Sequence, residues 1–205
     1  MRRPLVLELS GHCEAAVGAE FAINLPLLIF FLLGTIDVGR YMWTINRVEK
    51  ATQMGARMAV VTDMVPGGLA TFNYGTTLGQ GAPIPTSSFG EARCSKPSGT
   101  VTCSCTVTPC PTLTPIRSAA FDAVAGRMRL IAGDIPVQDI TITYTNSGLG
   151  YAGDPTGPNV APIVNVKVTG MRFVPLVFQF FGGSLTLPTQ SAALTLEDGQ
   201  GSTSN

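Results

Sequence analysis

The chain has 205 residues, the size of one domain with room for an appendage. Its 13 basic residues balance 13 acidic ones, so no long-range field is present to recruit nucleic acid or an acidic substrate. Charged residues make up only 13% and hydrophobic ones 45%, which excludes a polar disordered chain. His12 is the single histidine. A Ser-His-Asp or Cys-His nucleophile needs a histidine base held by the fold, and a His-ligated metal needs more than one. The expectation is a non-enzymatic protein with no cofactor, no metal and no small-molecule substrate.

The first element is an apolar segment. Residues 21–36 carry no charge, but sixteen residues rise only about 24 Å, short of a roughly 30 Å hydrocarbon core. Extension back to Ala15 gives 22 residues and about 33 Å, which suffices and brings in one carboxylate, Glu20. A secretory signal fits poorly. Glu8 and Glu14 interrupt its basic start, and Asp37-Val38-Gly39-Arg40 follows the apolar run in place of a small-x-small cleavage site. A plain single-pass anchor accounts for the length but not for Glu20, because an ionisable group in lipid is costly and marks function.

The third reading keeps the helix and removes a leader before it. Glu20-Phe21-Ala22-Ile23-Asn24-Leu25-Pro26-Leu27-Leu28 is followed by Gly34-Thr35-Ile36-Asp37-Val38-Gly39-Arg40, and then by the Ala-rich stretch Ala51 to Arg57. Over residues 16–60 this resembles the N-terminus of TadE-like proteins, minor pseudopilins of the tight-adherence (Tad/Flp) branch of type IV pili. The resemblance implies assembly of such a pilus for adhesion or secretion. The expected partners are the inner membrane, a prepilin peptidase and other Tad pilins and pseudopilins. It also implies roles for Glu20 and Phe21 in assembly. In the family the peptidase cuts after a Gly five residues before the Glu. That position is Ala15 here, so the expected cut is Ala15–Ala16, with Gly18–Ala19 as the alternative. Residues 1–15 are then the leader.

Orientation rests on two opposed signals. Arg2 and Arg3 precede the segment, and Arg40, Arg47 and Lys50 follow it, which slightly favours the C-terminal part inside. The cysteines described below and the resemblance outweigh that count. They place a single-pass protein in the bacterial inner membrane with its C-terminal part in the periplasm. The alternative function is a single-pass protein whose periplasmic domain binds a partner unrelated to pili; a secreted enzyme on an anchor is the third class.

Helical spacing continues through Ile45, Val48, Thr52, Gly55 and Ala59 to about Val61. Ala51, Gly55 and Ala59 are small and four apart, so this face is expected to pack on a sheet. Residues 16–64 are read as the membrane and extended helix, stopped by Val65-Pro66-Gly67-Gly68. The window 65–115 holds seven Gly, seven Pro, ten Thr and five Ser but three charges, and should be loop-rich with short strands at most.

Cys94, Cys103, Cys105 and Cys110 lie in that window, spaced C-x8-C-x-C-x4-C. Zinc is disfavoured because no C-x2-C knuckle is present. Two disulfides suit a periplasmic loop that cannot build its own core. Of the three connectivities, the one joining Cys103 to Cys105 closes too small a ring and is disfavoured, leaving two. Cys13 is the odd cysteine, and a cut after Ala15 removes it.

Thr114-Pro115 reads as an N-cap and first helical position, with Ile116, Ala120, Val124, Met128 and Ile131 as the apolar stripe and Gly133 as the stop. Three strands are expected next: Ile140 to Tyr144, Val164 to Val168, and Leu185 to Leu196, whose start Pro188 weakens. Gly148-Leu149-Gly150-Tyr151-Ala152-Gly153 matches a dinucleotide spelling, but Asp154-Pro155 follows where a helix would have to open, so it reads as a turn. Phe173 to Phe181 is an apolar run, read first as a core-covering connection and second as a patch for a membrane surface or neighbouring subunit. Residues 116–198 form the helix and sheet, and 199–205 a disordered tail. The fold class is α+β: a long membrane helix, a pilin-like layout with a second helix, and an antiparallel sheet of about three or four strands.

Overall fold

In the computed structural model the first helix, α1, runs unbroken from Cys13 to Val61. Residues 13–154, 157–179 and 182–196 are described. Residues 1–12 of the expected leader and 199–205 of the expected tail lie outside them, as do the side chains of Ala15 and Ala16. Pro26 sits inside α1. Apolar membrane helices tolerate such a proline because neighbouring groups take up the freed carbonyl.

The chain separates into two compact units. The first contains residues 1–43 and 173–185; the second contains 44–172 and 186–205. In the first unit the side chains of α1 from Val17 to Ile36 are mostly exposed, Phe31 at 75% and Leu27 at 74%. The segment is apolar enough to cross a membrane.

The second unit carries a five-stranded antiparallel sheet of order β2-β1-β3-β4-β7. Its strands are β1 (Glu91–Ser95), β2 (Thr102–Val107), β3 (Ile140–Thr145), β4 (Ile163–Val168) and β7 (Gln190–Thr195). The short strands β5 (Arg172–Phe173) and β6 (Leu185–Thr186) form a separate pair. Alternation fixes the core face. Ala92 and Cys94 on β1, Ile142 and Tyr144 on β3, and Val164, Val166 and Val168 on β4 are all buried. The last turns of α1 supply Val48, Ala51, Thr52, Ala56, Ala59 and Val60 to the same core. Gly55 shows how closely these layers meet. A Cβ there would lie 2.6 Å from Met128 Cγ and 3.4 Å from Val166 Cγ1.

Two expectations are corrected, and that of short strands at most in the Cys-containing window is met, with short helices besides. The second long helix, α4, spans Ser118–Ile131 and does not start at Pro115. Residues 115–117 stay out of the helix because Pro66 bridges Ile116, Gly67 N donates to Pro115 O, and Arg117 N donates to Val65 O. Its N-cap is Arg117, without a side-chain cap, and its buried stripe includes Phe121 and Ala125 in place of Ile116. The Cys-containing window holds two strands, β1 and β2, besides the short helices α2 (Gly67–Thr71) and α3 (Gly75–Leu78). Leu185 to Leu196 divides on either side of Pro188 into β6 and β7, in two different sheets.

β7 forms one end of the large sheet. Leu196 N donates to Pro162 O, so the even-numbered residues of β7 bond to β4. The N–H and C=O groups of Ser191, Ala193 and Thr195 therefore point outward, with no strand beyond them among the described residues.

Candidate functional site

The residues singled out by sequence do not converge on one cleft. Gly18, Ala19, Glu20 and Phe21 follow one another on α1, all exposed, and Phe21 is 64% exposed. A Cβ added to Gly18 meets nothing within 4 Å. A helix advances 100° per residue, so Glu20 and Phe21 present a carboxylate and a ring on adjoining faces. Ala15 and Ala16 lie within α1, one turn before Glu20.

The four cysteines belong to the second unit. β1 and β2 pair with Cys94 opposite Cys103, and a disulfide joins them. A second joins Cys105 to Cys110. Cys94 is fully buried beside Ile142 of β3, whereas Cys105 faces solvent. The first crosslinks a strand pair drawn from the charge-poor window, and the second ties β2 to the loop that follows it.

Gly148 to Gly153 is a turn. Gly148, Gly150 and Gly153 have positive φ, and Tyr151 bridges Pro83. A side chain at Gly150 would meet Asn159 O at 2.2 Å, which explains the glycine without a nucleotide. No helix opens after it among the described residues.

Two features escaped the sequence reading. The first is the outer face of the sheet, where Glu91 and Arg93 on β1 align with Thr145 and Thr143 on β3 and with Asn165 on β4. They border a polar depression of about 330 Å³. Glu91 accepts from the hydroxyls of Thr106 at 2.6 Å and Thr145 at 3.4 Å. The buried Oδ1 of Asn165 has no partner among the described residues. Alternating threonines marked β3 as a strand, but the cross-strand register that assembles this face is not readable from one strand.

The second is Asp37, in the first unit. It is 7% exposed and accepts from Arg40 Nη1 at 2.9 Å and Val177 N at 3.0 Å, with the amide of Leu176 also bonded to it. Those amides open α5 (Leu176–Gln179), a single turn within the apolar run. Arg40 also lies over the ring of Phe173, Cζ to centroid 5.3 Å, and Tyr41 meets the same ring edge-on at 5.5 Å. The sequence signal was an acid and a base three apart at the end of an apolar helix. Its partner, 140 residues away, was hidden.

The family model described as TadE-like protein matches residues 15–57. The match takes in Glu20, Phe21, Asp37 and Arg40 and ends within the buried turns of α1. No curated protein and no solved structure matches the chain.

Proposed function

We propose that this chain is a minor pseudopilin that helps assemble a Tad/Flp pilus. In this reading α1 anchors it in the bacterial inner membrane and the second unit lies in the periplasm. The role is structural and non-enzymatic. One observation carries it: the family match over residues 15–57 falls on a single helix apolar enough to span a bilayer. Glu20 gives the match chemical content. With Val17 at the inner boundary, Glu20 lies about 4.5 Å inside the apolar region. A cut after Ala15 creates an amino group on Ala16, and the same group on a neighbouring subunit is the favoured counter-charge for Glu20.

The test is the mature N-terminus. Protein extracted from membranes of a host with an active prepilin peptidase should begin at Ala16, or at Ala19 if the alternative site is used. An intact Met1 or Arg2 start rejects the leader. A second reading, a single-pass protein whose domain binds a partner unrelated to pili, draws on the polar depression and on the match ending at residue 57. Failure to co-purify with the major pilin, together with capture of another periplasmic partner, selects it.

A further inference from the structure

The segment 173–185 sits in the same unit as the membrane helix, 130 residues later in sequence than Trp43. It bounds a cleft of about 290 Å³ with α1, lined by Phe30, Gly34, Val38, Phe173, Val177 and Leu185. The depth of that cleft follows from helix geometry. Twenty residues from Val17 rise about 30 Å, which puts the outer hydrocarbon boundary near Ile36 and Asp37. Phe30 then lies about 10 Å below Asp37. The floor of the cleft is at the level of acyl chains, not of headgroups.

We infer that residues 173–179 and 182–185 belong to a second bilayer-inserted element, and that the cleft holds an acyl chain of a phospholipid in the leaflet beside them. This rests on the reading of α1 as a membrane helix.

Three observations support it independently of depth. The first is polar satisfaction. Backbone at membrane depth must have its polar groups bonded internally. Leu176 and Val177 give their amides to Asp37, Gln179 N donates to Pro175 O at 2.9 Å, and Pro175 has no amide. The carboxylate of Asp37 is in turn neutralised by Arg40. The second is continuity. Val174 is 48% and Leu185 47% exposed, and Leu185 borders the cleft together with Val38, itself 61% exposed. The third is size. A helix is about 10–12 Å across with its side chains and cannot enter a cleft this small, whereas an unbranched hydrocarbon chain can.

The experiment uses the full chain in two vesicle preparations, one of phospholipid brominated near the headgroup end of the chain and one brominated at mid-chain, in a Trp43→Phe background, and a position counts as quenched when either preparation quenches it. Single tryptophans are placed by Ile29→Trp, Val174→Trp and Leu185→Trp, and quenching is read for each. All three should be quenched. Quenching at 29 without quenching at 174 and 185 overturns this inference and leaves the anchor standing; no quenching at 29 overturns both. Adding Asp37→Ala should abolish quenching at 174 and 185 and spare 29, and unchanged quenching there overturns the carboxylate's part. Gly34→Leu puts a branched side chain into the cleft at a position where a Cβ meets nothing within 4 Å. Phospholipid carried through detergent exchange should fall in that variant. An equal amount overturns acyl-chain occupancy.

Discussion

Glu20 and Asp37 are two carboxylates on one helix with opposite fates. Asp37 is bonded within its own unit, and Glu20 is exposed on an apolar helix. A charge at the bilayer centre costs about 2.5–3.5 kcal/mol on insertion scales and less near the interface, a cost that in the proposed reading a counter-charge on a neighbouring subunit offsets. Replacement of Glu20 by Gln or by Leu should leave protein level and leader cleavage normal and abolish co-purification with the major pilin. Unchanged association in both variants makes Glu20 a tolerated interfacial charge. In the second unit, burial of Tyr74 pushes its phenol up to about 12, and burial raises that of Tyr144 as well. Both folded values exceed the unfolded one near 10, so their stabilisation is complete below pH 10 and is lost as pH rises through the folded values. Urea midpoints of the detergent-solubilised protein should fall between pH 10 and pH 12. Tyr74→Phe should flatten that fall. Glu20 was legible because a charge inside an apolar run is anomalous by itself. Asp37 was legible only as the acidic residue of the motif after the apolar run, since its burial depends on a segment 140 residues away.

Among the elements, those with a strong period were legible and those set by tertiary bonds were not. The stripe Val48, Thr52, Gly55 and Ala59 named the buried face of α1, and the alternation in β3 and β4 named their buried sides. The start of α4 was misplaced because Thr114-Pro115 carries a helix-start signal that the bridge between Pro66 and Ile116 overrides. β1 and β2 were not placed because their partners and crosslinks, not their propensities, make them strands. Three consequences can be measured. Phe121, fully buried on α4, should cost about 3–5 kcal/mol on truncation to Ala, read from denaturant unfolding. Gly68 packs under the carbonyls of Thr112 and Thr114, where a Cβ would lie 2.3 and 2.4 Å from their oxygens. Gly68→Ala should therefore destabilise by about 1–3 kcal/mol, because backbone and not a flexible side chain must yield. The disulfides should open in order under mild reductant, exposed Cys105–Cys110 before buried Cys94–Cys103, as followed by alkylation and mass mapping.

For the whole molecule, α1 belongs to both units, an apolar stretch in one and a core element in the other. Removing the chain before about Met42 takes away most of the apolar stretch and keeps Val48 to Val60. Removing it before about Thr62 strips the second unit of six buried side chains, Val48, Ala51, Thr52, Ala56, Ala59 and Val60. The fragment 42–205 should be more soluble and more cooperative in unfolding than 62–205; the reverse order would mean that the helix is dispensable to the sheet.

The outward-facing groups of Ser191, Ala193 and Thr195 bear on how such a fragment behaves in the tube. Gln190 to Thr195 has no charge, no proline and no bulge, the usual guards on a terminal strand. At rising concentration this strand is a template on which a second chain can register. Self-association of 42–205 should set in through β7. Ala193→Glu puts a carboxylate beside Asn165 and diagonal to Lys167, and should raise the concentration at which light scattering first departs from that of a monomer.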